Sequence, residues 1–221
     1  MLQALANDGT MIAYYAKNFE TEQARAHPWS VSQTNENHRY VDFKKEPELI
    51  RSSIEDLEDY KGQGFCESFY SLIEWINGSS TFIESNDCAF RGARKNPDTQ
   101  FSYANRCDGR LQILYRDIHE NCNPDSITWL IDEFISVAKG LKPKFTAGAV
   151  GVTRMPTIYK ALSPEPNKGG LGEQVMFSFF AYGKNSRRCY ESMENVIQCT
   201  RAALSKINKR IENGALAAIN G

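Results

Sequence analysis

The chain has 221 residues, of which 41% are hydrophobic and 24% charged, and its formal net charge at pH 7 is −1. This composition is typical of a globular protein with a packed core, and it excludes a disordered or fibrous chain. A net charge so close to zero excludes a global field that would draw the chain to nucleic acid or to an anionic membrane, so such binding would need a local patch.

The sequence shows neither a secretory signal nor a membrane-spanning segment. Residues 1–20 lack a basic segment ahead of an apolar run, so they do not resemble a secretory signal. No apolar run approaches the roughly 20 residues that a transmembrane helix needs. The six cysteines are scattered without CxxC spacing and are expected to be reduced thiols. We therefore predict a cytoplasmic protein with no membrane partner.

The chain is predicted to divide into three segments. Residues 1–45 are polar, contain Pro28 and show no sustained period, which predicts an irregular amino-terminal arm. Residues 46–214 are expected to form a single α+β domain. The last seven residues, 215–221, are expected to be a frayed tail.

Two helices are predicted at the start of the domain, near residues 47–60 and 65–77. The first begins at Pro47 and repeats apolar residues at helical spacing. Its outer face is acidic: between Glu46 and Asp59, six carboxylates stand against one arginine, a net charge of −5. A face of this kind is usually only solvated.

Two strands are predicted to follow and to pair antiparallel, over residues 82–90 and 111–119. In the second, Leu111, Ile113 and Tyr115 alternate with other side chains, as strand residues do. In the first, strict alternation would place Glu84 and Asn86 on one face and Asp87 and Arg91 on the other. The alternative is a turn at residues 85–87, where side chains can bond to their own backbone.

The remaining elements are a helix that begins at Asn123, two strands within residues 144–183, and a long helix that ends near Asn213. From residue 80 the predicted order is therefore ββαββα. This order favours a two-layer α+β fold, with an antiparallel sheet, helices packed on one face and an amino-terminal helical or irregular segment. Two ββα units related by a pseudo-twofold would produce it.

Candidate catalytic residues lie on the predicted strand pair, where cross-strand neighbours are about 5 Å apart. Glu84 or Asp87 could then face either Arg116 or the pair Asp117 and His119, and a carboxylate can orient a histidine for acid–base work. A structural salt bridge would use the same residue types. With three histidines in the chain and only His119-x-x-Cys122 as a ligand pair, we predict no metal site, and the sequence does not identify a cofactor.

A basic loop follows the first strand. Between Arg91 and Arg110, five basic residues stand against two aspartates, a net charge of +3. Guanidinium groups bind phosphate or carboxylate oxygens, and aromatic rings stack on bases. The alternative is a solvated loop. The predicted ligand-binding residues are Arg91, Arg94, Lys95, Phe101, Tyr103, Arg106 and Arg116.

Three functions fit these patterns. The first is a soluble binding or regulatory module that holds an anionic ligand, either a small molecule or a nucleic-acid segment, near the 82–119 strand pair and the 91–110 loop. The second is a hydrolase or nuclease-like phosphodiesterase that uses Glu84, Asp87 and Asp117. The third is a protein-interaction module whose acidic helix binds a basic protein partner.

Overall fold

The structure, a computed structural model, describes residues 12–30, 39–97, 102–141, 147–162 and 170–220. Six β-strands lie within these ranges. They are β1 (Ile12–Tyr15), β2 (Arg25–His27), β3 (Ile83–Lys95), β4 (Asn105–Tyr115), β5 (Gly148–Tyr159) and β6 (Gly170–Gly183).

The same ranges contain six α-helices, three of which are long. They are α1 (Ile50–Ser53), α2 (Gly64–Asn77), α3 (Ile118–Asn121), α4 (Pro124–Lys139), α5 (Ser186–Glu212) and α6 (Ala215–Asn220). Short 3₁₀ turns at Pro47–Leu49 and Glu55–Tyr60 flank α1, so the acidic stretch is a broken helix.

The strands form one sheet in the order β1-β5-β6-β4-β3, and β2 also pairs with β5. The four long strands pair antiparallel with their neighbours, whereas β1 and β2 run parallel to β5. The predicted α+β class, with its ββαββα order from residue 80, is confirmed. The hairpins β3–β4 and β5–β6 are each followed by a long helix, α4 and α5, and they meet where β4 pairs with β6.

Local signals explain where the long helices begin. Asn123 Oδ1 accepts a hydrogen bond from the amide of Asp125 at 3.0 Å, and Pro124 occupies the first turn of α4. Asn185 caps α5 in the same way, by accepting from the amide of Arg188 at 2.9 Å. Each cap satisfies an amide that the helix itself leaves without a partner.

The hydrophobic core lies between one face of the sheet and helices α2, α4 and α5. Leu111, Ile113 and Tyr115 point into it and are at most 1% exposed, as the alternation in β4 predicts. Phe134 of α4 packs on Phe177 of β6 with ring centroids 4.6 Å apart. Burial of an aromatic side chain of this kind contributes about 1.5–3 kcal/mol, so this layer supplies most of the stabilisation.

The strict alternation expected along β3 is wrong at Asn86. The register shifts between Ser85 and Asp87, because Asn86 is an extra residue that β4 does not oppose. Beyond this bulge, each side chain of β3 points to the face opposite to the one that strict alternation predicts. Cys88 therefore faces the core, while Asp87 shares the opposite face with Glu84.

That opposite face is contacted by the amino-terminal arm, defined here as residues 12–30 and 39–46. Where the sequence predicted an irregular segment, the arm contributes β1 and β2 at the edge of β5. Between and beyond these strands it crosses to β3, β4 and β6, and it contacts them through polar and aromatic side chains. The sheet therefore has helices on one face and the arm on the other.

Candidate functional site

The site begins with the acidic residues of β3, which the bulge directs at the arm. Lys44 of the arm forms an ion pair with Glu84, whose side chain is only 4% exposed. A buried carboxylate without a partner would cost several kcal/mol. Glu84 is therefore part of the contact that holds the arm on the sheet.

A chain of buried amides continues from the bulge across three strands. His27 Nδ1 lies 2.8 Å from Asn86 Oδ1, and Asn86 Nδ2 donates to Gln174 Oε1 at 2.7 Å. Gln174 Nε2 donates in turn to Gln112 Oε1 at 3.2 Å. Because Asn86 donates through its amide nitrogen, its oxygen faces His27, and the His27 ring is the donor.

His27 is the titratable group at the start of this chain. Burial lowers its pKa, because removal from water disfavours the imidazolium, although the hydrogen bond to Asn86 opposes that shift. The ring also packs edge-on against Tyr40 and Tyr159, with centroids 5.5 and 5.7 Å away. His27 therefore favours the neutral form and serves as an internal anchor of the arm.

Beside the amide chain, Asp87 is shared by two arginines. Its Oδ2 accepts from Arg25 Nη1 of the arm at 2.7 Å and from Arg110 Nη2 of β4 at 3.3 Å. The carboxylate is only 11% exposed. A single negative charge therefore faces two positive ones.

The same arrangement recurs further along the strand pair at Asp108. Arg94 Nη2 pairs with Asp108 Oδ1, and Arg106 Nε lies 3.4 Å from the same oxygen. Arg94 Nη1, Arg106 Nε and Arg110 Nε have no hydrogen-bond partner among the described residues. These guanidinium groups thus retain donor capacity that Asp87 and Asp108 do not use.

We call this group the arginine patch. It contains five arginines and two aspartates, a net charge of +3, on the sheet face opposite the helices: Arg25, Arg91, Arg94, Arg106, Arg110, Asp87 and Asp108. Arg91 is exposed and has no ion-pair partner in the described part of the chain. The chain as a whole carries −1, so this surface departs sharply from the molecular average.

Two hollows of about 240 Å³ each open on the patch, and Arg110 lines both. The first is also lined by Phe19, Arg91, Ser178 and Phe180. The second is lined by polar residues of the arm, Gln23 and Arg25 among them, together with methionines of β5 and β6. The two hollows form a groove between the arm and the sheet.

Aromatic rings border this groove at one end. Phe19 of the arm lies against Phe180 of β6, with ring centroids 6.1 Å apart, and the Arg106 guanidinium lies 5.9 Å from the centre of the Phe180 ring. Tyr103 stacks on Tyr182 at 6.1 Å. Guanidinium groups and aromatic rings therefore alternate across the sheet face that carries the arginine patch.

A third hollow, of about 280 Å³, lies beyond the outer edge of β3. Trp29 and Phe43 of the arm and Ser53 of α1 form part of its wall. Its charged residues are Arg39, Glu55 and Asp87, which sum to a net charge of −1. It therefore lacks the excess of positive charge that distinguishes the groove.

The predicted catalytic residues fall into two groups. Glu84 and Asp87 lie on the arm side of β3 and are each paired with a cation. Asp117 lies beyond the end of β4, where its carboxylate caps α3 by accepting from the amide of His119 at 3.0 Å. Both Asp117 and His119 are exposed there, and no hydrogen bond or ion pair joins them to Glu84 or Asp87 in the described ranges.

The predicted ligand-binding residues also separate. Arg91, Arg94 and Arg106 belong to the arginine patch, whereas Lys95 is exposed at the end of β3. Arg116 instead directs its guanidinium to backbone carbonyls, with Nη2 2.6 Å from Gly78 O and 3.2 Å from Ile76 O. Tyr103 lies beside the patch through its stacking on Tyr182, and Phe101 lies outside the described residues.

Among the groove residues that sequence reasoning missed are Arg25 and Phe19 of the arm. Both lie in a polar stretch with no sustained period, and their partners are more than 60 positions away in the chain. The only local signal is the spacing of Phe19, Thr21, Gln23 and Arg25, whose alternate positions all line the groove. Alternation of this kind is typical of an extended segment.

Cys88 is the thiol of β3 that follows the bulge and Asp87. Burial raises the pKa of Cys88, so that thiol stays protonated at neutral pH. No group of three side chains suited to a metal ion occurs among the described residues. Nor does any helix in those ranges have the length and apolar character to cross a membrane.

Comparisons with known proteins give no information about the function of the site. The chain matches no protein-family model, no curated protein and no solved structure. The class that fold and site define together is an α+β protein with a positively charged groove on the sheet face opposite its helices.

Proposed function

We propose that this protein is a binding module that holds an anionic ligand in the groove over the arginine patch. The observation that carries the proposal is the sharing of each aspartate by two arginines, which leaves a net charge of +2 at Asp87, Asp108 and their partners, and of +3 when the exposed Arg91 is included. A phosphate or carboxylate group would supply the negative charge that balances this excess, since guanidinium groups bind such oxygens in a forked geometry.

The surroundings of the patch support binding by pre-organised groups. Arg25, Arg94 and Arg106 are held by ion pairs and are at most 35% exposed. Side chains that are already fixed lose less conformational freedom when a ligand binds. Arg91 and Arg110, at the mouth of the first hollow, are the most accessible contacts.

The hydrolase alternative has less support. A general base needs a free lone pair directed at the proton that it removes. Glu84 is committed to Lys44, and Asp87 to Arg25 and Arg110. The acidic-helix alternative has less support for a similar reason, because Asp56 accepts from the amide of Phe90 at 3.1 Å and Glu58 pairs with Lys61.

A cytoplasmic location belongs to the same proposal. All six cysteines are free thiols, which suits a reducing compartment. Cys107 and Cys189 lie in contact with each other, yet no disulfide joins them. Fractionation of cells that express the full chain, with probing for the protein, tests this part.

The binding proposal is tested with inorganic tripolyphosphate and isothermal titration calorimetry at low salt. We expect binding that weakens as salt rises, and a loss of more than about tenfold in Arg91→Ala/Arg110→Ala, because a hydrogen bond to a charged group contributes about 1.5–3 kcal/mol. The matched control is Lys206→Ala/Lys209→Ala, which removes the same charge from the exposed side of α5. Equal loss in both variants, or no binding by the native protein, would overturn the proposal.

A further inference from the structure

We infer that the ligand of this groove is a single-stranded nucleic acid, with its phosphates on the arginines and its bases against the aromatic rings. The inference rests on the proposed function and narrows it to one class of anion. It depends on the alternation of guanidinium groups and rings, on the size of the groove, and on the polar groups within it.

The first step is the chemical pattern of the surface. Arg106 lies between the phenylalanine pair and the tyrosine pair, since it contacts the Phe180 ring and is opposite Tyr182 in the sheet register. A nucleotide strand repeats a charged phosphate and a planar base along its length. Proteins that bind single strands combine a positive groove with aromatic side chains on which successive bases stack.

The array of arginines is longer than a single phosphate group. Arg106 and Arg110 are four residues apart on β4, which corresponds to about 13 Å along a strand. Arg91 lies one strand away, and Arg25 reaches the same surface from the arm. A lone phosphate or a short dicarboxylate would contact only one part of this array. An extended polyanion can follow it from one hollow into the next.

The lining of the first hollow favours unpaired bases over a duplex. Phe19, Phe180 and Ser178 line the first hollow, so a planar group placed there would meet two rings and a hydroxyl. A duplex keeps its bases stacked inside and would offer only phosphates to this shallow surface. No described element projects from this side as a free helix or ribbon that could enter a groove of DNA.

The test uses two fluorescein-labelled probes of equal charge, oligothymidylate of about ten nucleotides and an abasic sugar–phosphate oligomer of the same length. Fluorescence anisotropy should show oligothymidylate bound at least about tenfold more tightly than the abasic probe. With three phosphate contacts, the logarithm of its affinity should fall with the logarithm of salt at a slope of about −2.

Phe180→Leu should remove most of the preference for bases while leaving the affinity for the abasic probe unchanged. Leucine keeps an apolar contact for Phe19 but has no ring face. If Phe180→Leu unfolds, as judged by its melting curve, Phe19→Leu on the arm replaces it, with the same expectation.

The outcomes separate the inference from the proposed function. If both probes bind equally, and Arg91→Ala/Arg110→Ala weakens both, anion binding stands and the nucleic-acid assignment is overturned. A labelled duplex that binds as tightly as oligothymidylate would also overturn it. If neither probe nor tripolyphosphate binds the native protein, both proposals fail together.

Discussion

Arg110 reaches Asp87 diagonally across the β3–β4 pair, with Nη2 3.3 Å from Oδ2, although the residue opposite Asp87 is Gln112. The diagonal contact exists because the bulge at Asn86 turns Asp87 to the face on which Arg110 lies. Arg25 approaches the same oxygen from the arm. The pair therefore couples the attachment of the arm to the charge of the groove.

Asp87→Asn should separate these two roles. The amide keeps the shape of the side chain but leaves Arg25 and Arg110 without a counter-charge, so the free energy of unfolding should fall by about 1–3 kcal/mol. The patch gains one positive charge, so the affinity for tripolyphosphate should rise. Urea denaturation and calorimetric titration measure the two effects.

Asp132→Asn is the matched control, because it makes the same change of charge at an exposed position on α4. It should alter neither stability nor affinity beyond error. A lower affinity in Asp87→Asn would show that Asp87 positions the arginines rather than limiting their charge.

His27 predicts a pH dependence of stability. Its pKa is lowered in the folded protein, so below the unfolded value near 6.5 the unfolded chain binds more protons than the folded one. The contribution of His27 is therefore complete above about pH 6.5 and is lost as pH falls toward the folded pKa, at no more than about 1.4 kcal/mol per pH unit.

Urea denaturation of His27→Gln at several pH values tests this. Glutamine can still donate to Asn86 but does not titrate, so the variant should lose less stability than the native protein between pH 7 and pH 5. His119→Gln, at an exposed position, should keep the native pH profile. If the two variants behave alike, His27 is not the titrating group.

Arg116 is expected to act on stability alone. Its guanidinium donates to the carbonyls of Ile76, Gly78 and Ile83, and so joins the end of α2 to the start of β3. Arg116→Lys keeps the charge but not the fork of donors, and should cost about 2 kcal/mol or more in the free energy of unfolding. The affinity of Arg116→Lys for tripolyphosphate should be unchanged. If this affinity instead fell tenfold while the variant kept native-like stability, Arg116 would belong to the groove.

Gln174→Met tests the buried amide chain. Gln174 is fully buried and is both the acceptor for Asn86 and a donor to Gln112. Methionine fills similar space but leaves Asn86 Nδ2 without its acceptor, so we expect a loss of about 1–3 kcal/mol in chemical denaturation. Gln63→Met, which makes the same change at an exposed position just before α2, should have a much smaller effect. A similar cost in both variants would show that the amide chain does not stabilise the fold.

Much of the fold could be predicted because it depends on local patterns. The alternation of Leu111, Ile113 and Tyr115 predicted β4 and its buried face, and Asn123 with Pro124 predicted the start of α4. In each case the residues that carry the signal are within a few positions of the structure that they determine.

The site could be predicted only in part, since it depends on contacts between distant segments. Arg91, Arg94 and Arg106 were assigned to an anionic ligand from the local excess of charge. The spacing of polar and apolar residues in β3 does not reveal the bulge at Asn86. Arg25 and Asp87, which form an ion pair, are 62 positions apart in the chain. Single-sequence patterns do not contain such pairings.

The ion pair between Lys44 and Glu84 sets a practical limit on how this chain can be dissected. A fragment that begins after residue 46 would retain the four long strands and all of the long helices, yet it would lose Lys44 together with the segment that covers Glu84. Such a fragment should be prone to aggregation, because the edge of β5 that pairs with β1 and β2 would be open to another strand. The amino-terminal arm is thus as much a part of the folding unit as the helices on the other side of the sheet.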